Sequence, residues 1–107
     1  MRQCHDLAAY EELQAALASG LVSEIRTVLE AAGLRGSKLQ STVASLASSV
    51  ADIYDGAAFV QAKNDHLVPI VGFAIGRMRR RLLVPEEGGS SVHEFIPGAV
   101  SSEFGAT

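Results

Sequence analysis

The chain has 107 residues, 9 Lys+Arg against 12 Asp+Glu, and a formal net charge of −3. That length suits one domain rather than two. More than half of the residues are apolar once the 10 Gly are counted, which excludes a disordered chain. The single cysteine, Cys4, excludes an internal disulfide framework and a thiolate zinc cluster.

The opening residues, MRQCHDLAAYEE, carry acids where a secretory signal needs its apolar run. The longest apolar run, Leu67 to Gly76, contains Pro69 and is about half of the roughly 20 residues a membrane span requires. The expectation is a cytoplasmic protein with no membrane partner. A small domain has much surface and little interior, so part of the apolar excess is expected at an interface between two copies, as a homodimer.

The charge is unevenly laid out. Residues 1–34 hold two Arg and five acids, residues 35–81 five Arg, two Lys and three Asp, and residues 82–107 four Glu and no base. A basic middle between acidic ends implies either an anion site or charge pairing within or between chains.

A first helix is predicted over Leu7 to Ala18. Leu7, Tyr10, Leu13 and Leu17 share one face, Asp6 serves as N-cap, and Ser19-Gly20 ends it. A second runs from Leu21 to Ala32 with Leu21, Ile25, Val28, Leu29 and Ala32 as its stripe. Gly33 stops it, and Leu34 is placed to fold back onto its last turn. A third spans Lys38 to Tyr54, opened by a Ser37–Gln40 capping box and closed by Asp55-Gly56. Its seam is Leu39, Val43, Leu46, Val50 and Ile53, flanked by Ala44, Ala47 and Ala51, and its other face is rich in serine.

The periodicity then changes. Strands are predicted over 57–63, 66–75 and 78–84, with a turn at Asn64-Asp65 and a stop at Pro85. The alternative is a helix through this region, because Val71, Ile75, Met78 and Leu82 also share a helical face. Gly72 and Gly76 would each cost such a helix about 1 kcal/mol. After Glu86-Glu87-Gly88-Gly89, the Ser91–Glu94 spacing opens a short helix near Val92, interrupted at Pro97-Gly98. The predicted fold is therefore α+β in a single domain spanning 1–107: three N-terminal helices, a three-stranded antiparallel meander and a short C-terminal helix. The alternative is all-α.

The most conspicuous cluster is Arg77, Arg79, Arg80 and Arg81, a candidate contact for an anion or a nucleic-acid backbone. The opposing reading is a charged sheet edge, or pairing with Glu86, Glu87 or the acidic first helix. Val28, Gly33, Leu34 and Leu39 fall at spacings used by a DNA-binding helix-turn-helix. Leu29 and Thr42 depart from that pattern, and only Lys38 and Gln40 would face bases.

His5, His66 and His93 lack metal-ligand spacing with Cys4, Asp65 or Glu94, so no metal or cofactor is expected. Cys4-His5 lies in a terminus expected to fray. No G-x-S-x-G occurs, and Asp52 or Asp55 before Gln61-x-Lys63 echoes a nuclease pattern only faintly, with Gln in place of an acid. Gly88-Gly89-Ser90-Ser91 before a short helix could bind an anion through backbone N–H groups. No catalytic set emerges. The function expected is a non-catalytic protein-interaction module of the adaptor, inhibitor or immunity type, acting through an apolar and acidic surface. A nucleic-acid-binding regulator using the 77–81 arginines is the alternative.

Overall fold

A computed structural model describes residues 2–56, 60–62, 65–67, 69–76, 81–85 and 89–105. In chain order the elements are β1 (Arg2–Cys4), α1 (Leu7–Ala31), α2 (Gly36–Tyr54), β2 (Val60–Ala62), β3 (Asp65–Leu67), β4 (Phe73–Ile75) and β5 (Arg81–Leu83). A 3₁₀ turn (Val92–Phe95) and α3 (Ile96–Glu103) follow. The α+β class holds.

The two helices predicted over 7–18 and 21–32 are one continuous helix of 25 residues. Asp6 caps it as expected, accepting from the Ala9 N–H at 3.1 Å. Ser19-Gly20 does not break it, because the buried stripe runs straight through. Tyr10, Gln14, Ala18 and Val22 are its buried residues, at four-residue steps. A glycine inside a helix costs about 0.5–1 kcal/mol relative to alanine, less than the burial of a packed side chain such as Val22 returns. Leu7 is 69% exposed, and Leu13 and Leu17 are only half-buried. The predicted face is thus rotated toward the smaller residues.

The end of α1 is as predicted. The Gly33 N–H donates to the Glu30 carbonyl and the Leu34 N–H to the Leu29 carbonyl, both at 3.0 Å, which is the Schellman pattern. Gly33 adopts φ +101°, which suits a residue without Cβ. Helix α2 begins two residues before the predicted start, and Ser37 caps nothing; Arg35 is the N-cap without a side-chain bond. Asp55-Gly56 closes it, the Asp55 N–H donating to the Ala51 carbonyl at 2.9 Å.

The strand region departs from the predicted meander. β2 and β3 form an antiparallel pair in register Val60↔Leu67, so Asp65 is a strand residue rather than part of the turn. The predicted strand 66–75 is two strands in two sheets, β3 pairing β2 and β4 pairing β5. Pro69 lies between them and has no N–H to give a ladder, so pairing cannot run through it. Residues 78–80 of the third predicted strand lie outside the described residues; its described part contains β5, the centre of a mixed sheet of order β1-β5-β4. Its partner β1 was not predicted as a strand at all. It runs parallel to β5 with Cys4 opposite Leu83, and the Val84 N–H donates to the Cys4 carbonyl at 3.1 Å. The all-α alternative fails on β4 and β5.

At the C-terminus, Pro97 does not interrupt a helix. It sits in the first turn of α3, where its missing N–H would have no intrahelical partner. The core joins Ala18 and Val22 of α1, Leu39, Val43, Ala47 and Ala51 of α2, Val92, and Ile96, Ala99 and Val100 of α3. The Tyr10 ring meets Phe73 edge-on at 5.6 Å, which fastens β4 to α1.

Two glycine substitutions test this helix layout in opposite directions. Gly20 is exposed inside α1 with open space around it, so Gly20→Ala should raise the unfolding free energy by about 0.5–1 kcal/mol. Gly33→Ala must place a Cβ in a left-handed conformation and should lower it by about 1–2 kcal/mol. Urea denaturation reads both; a loss at Gly20 would mean that the helix breaks there.

Candidate functional site

Polar side chains converge where the end of α2 meets the chain entering the 3₁₀ turn. The Asp55 side chain is 1% exposed. Its Oδ1 accepts from Ser90 Oγ at 2.8 Å and from the Val92 N–H at 2.9 Å. Its Oδ2 accepts from the His93 N–H at 2.7 Å and lies 2.5 Å from His93 Nδ1. Burial alone would raise this carboxyl; the backbone and ring bonds from His93, with those from Ser90 and Val92, outweigh it and hold it below the usual carboxylate range.

Ser90 extends the network. Its hydroxyl oxygen accepts from the Val71 N–H at 3.3 Å. Its one proton has two acceptors in reach, Asp55 Oδ1 at 2.8 Å and the Tyr54 carbonyl at 3.1 Å; the ionised and nearer Asp55 is the stronger. The Tyr10 hydroxyl donates to the Val71 carbonyl at 2.5 Å. Burial lifts the Tyr10 phenol above its ordinary value; a Ser90 bond opposes this and the Asp55 charge adds to it. The Ser91 N–H donates to Gln14 Oε1 at 2.7 Å.

This arrangement explains the stretch read as an anion-binding loop. The N–H groups at 92 and 93 do take an anion, but it is the chain's own Asp55 carboxylate, arriving from another helix. Ser91, the predicted cap, makes no capping bond. A carboxylate paired with an imidazole can also serve as a general base. Here His93 presents Nδ1 to Asp55, and its ring is 43% exposed. The bonds to Val92 and His93 join the end of α2 to the 90–93 segment as a clip.

Beside this network a cleft of about 590 Å³ opens between the first turns of α1 and the segment after β5. Tyr10, Gln14 and Ser91 reach it from the network, and His5, Asp6 and Glu11 stand at its acidic side.

Of the predicted contact residues, Arg77, Arg79 and Arg80 lie outside the described residues, as do Glu86 and Glu87. Arg81 opens β5 and is exposed, opposite Arg2 and Ile75 in register. His5 lines the cleft, His66 lies in β3 and His93 is held by Asp55. Among the described residues no group of three His, Cys, Asp or Glu is placed to hold a metal ion. Cys4 is half-buried within β1 rather than in a frayed end. Sequence reasoning saw Asp55 as a helix terminator and as a possible acid of the faint nuclease-like pattern, not as a clip, because its partners lie 35 to 38 residues away. No protein-family model, curated protein or solved structure matches the chain significantly.

The clip has a pH signature. The folded Asp55 carboxyl sits below its unfolded value, so its contribution is complete above about pH 4 and is lost as the pH falls through the folded value. Asp55→Asn turns an NH₂ toward donors and should lower stability by about 2–3 kcal/mol at pH 7, while flattening the acid limb. His93→Ala leaves both backbone bonds in place and should lower it by only about 1 kcal/mol. Urea melts from pH 2 to pH 7 read all of these; an unchanged acid limb in the Asn variant would contradict the clip.

Proposed function

We propose that this chain is a non-catalytic protein-interaction module that pairs with a second copy through the solvent face of α2. The observation that carries this reading is the exposure of Leu46 and Ile53, each 44%. Leu39, Leu46 and Ile53 stand seven residues apart and so follow one line along the helix. Leu39, beside the α1–α2 turn, is buried in the core cluster, whereas further along the line no described element covers Leu46 and Ile53.

Val50, half-buried, lies between them, and Thr42 and Ser49 border them. The stretch 39–51 carries no charged residue, so two copies meet there without like-charge repulsion. An apolar stripe bordered by small polar residues suits the self-complementary patch of a two-fold dimer. No helix among the described residues is long and apolar enough to cross a membrane, so burial of this stripe in a bilayer span finds no support.

Sedimentation equilibrium at tens of micromolar should show a dimer. Leu46→Glu/Ile53→Glu should be monomeric with unchanged helical circular dichroism, because neither residue is needed in the core. Arg79→Ala/Arg80→Ala/Arg81→Ala should dimerise like the parent. A parent that stays monomeric overturns the proposal. Steeply salt-dependent binding to duplex DNA, lost in the arginine variant, would transfer the function to nucleic acid.

A further inference from the structure

We infer that residues 91–104 form a strap that opens from the α1–α2 hairpin as one unit, with the Asp55 clip as its latch, and that opening uncovers the apolar seam between the two helices. The core is asymmetric in what depends on what. Helices α1 and α2 pack directly on each other, and the turn between them is closed by its own backbone bonds at Gly33 and Leu34. Neither that packing nor the turn passes through α3. Helix α3 has no such independence. It is eight residues long, too short to persist alone, and holds Gly98. The buried apolar side chains of the strap are Val92, Ile96, Ala99 and Val100, all resting on the hairpin.

The remaining attachment is polar and sits at the two ends. At the entry, Asp55 accepts from the Val92 and His93 N–H groups and meets the His93 ring, and Gln14 accepts from the Ser91 N–H. At the exit, Arg26 donates to the Glu103 carbonyl, stands 3.9 Å from the Glu103 carboxylate and lies over the Phe104 ring. Three of the four groups bonded to the Asp55 carboxylate belong to the strap; the fourth is the Ser90 hydroxyl. Departure of the strap therefore returns that carboxylate to water instead of leaving a buried charge unpaired. A short element with few apolar contacts and polar anchors opens at a lower free energy than the whole fold. Leu46 and Ile53 are exposed with the strap in place, so its opening leaves the proposed contact between copies as it is. The strap thus stands apart from that reading.

Native-state hydrogen exchange on the full ¹⁵N-labelled chain tests the strap. The bonded amides of Val92, His93 and Phe104 should share one opening constant, larger than that of the core amides of Val22 and Ala47. Arg26→Ala removes only the exit anchor. It should nevertheless speed exchange about tenfold at Val92 and His93 as well as at Phe104. Asp55→Asn, at the entry, should speed all three by about thirtyfold or more. Acceleration confined to Phe104 in the Arg26 variant means a fraying end and overturns the single unit. An opening constant at Val92, His93 and Phe104 equal to that at Val22 and Ala47 means global unfolding and overturns the strap.

Discussion

The structure depends on the close approach of α1 and α2. Ala18 and Val22 on one helix and Val43, Ala47 and Ala51 on the other are completely buried. On both helices the buried residues step by four, so rows of small side chains interlock and the backbones come near. This choice has a cost for the larger apolar residues. Leu46 and Ile53 lie around the helix from Ala47, and no described element covers them. The described elements bury one face of α2 and leave the other as a surface available to another molecule.

The C-terminal helix completes the core because it is held at both ends. At its entry, the Asp55 carboxylate accepts the N–H groups of Val92 and His93. At its exit, Arg26 of α1 donates to the Glu103 carbonyl at 2.7 Å and lies over the Phe104 ring at 4.5 Å. The anion sits at the amide end and the cation at the carbonyl end, the arrangement the helix dipole favours. Between these anchors, Val92, Ile96, Ala99 and Val100 close over the α1–α2 seam. The sheet is attached from the other side by Tyr10, whose ring meets Phe73 and whose hydroxyl binds the Val71 carbonyl. The side chains of α1 that fix the sheet and the Ser91 backbone are therefore also those that line the cleft.

What was legible in the sequence was local. The Asp6 cap, the Gly33 stop with Leu34 folding back, and the extent of α2 all rest on residues within one or two turns of each other. What was missed depended on distant partners. β1 is a strand only because β5 lies beside it, and Asp55 is a clip only because the 90–93 segment returns to it. Ser19-Gly20 carried a sound stop signal, which the continuous Tyr10–Gln14–Ala18–Val22 stripe overrode. The strand at 66–75 was read from its β-branched density, but Pro69 divided it between two sheets. On α2 the large residues Leu46 and Ile53 marked the apolar seam, yet packing selected Ala47 and Ala51. Of the flanking alanines, Ala47 and Ala51 were the actual contact.

The proposed contact between copies lies on the solvent face of α2. Isotope-filtered nuclear Overhauser spectra on a mixture of ¹³C-methyl-labelled and unlabelled chains test this directly, because they report only contacts between copies. Cross-peaks between copies at the methyls of Leu46, Val50 and Ile53 are predicted. Cross-peaks confined to other exposed apolar residues, such as Val28 or Ile70, or none at all, would contradict it.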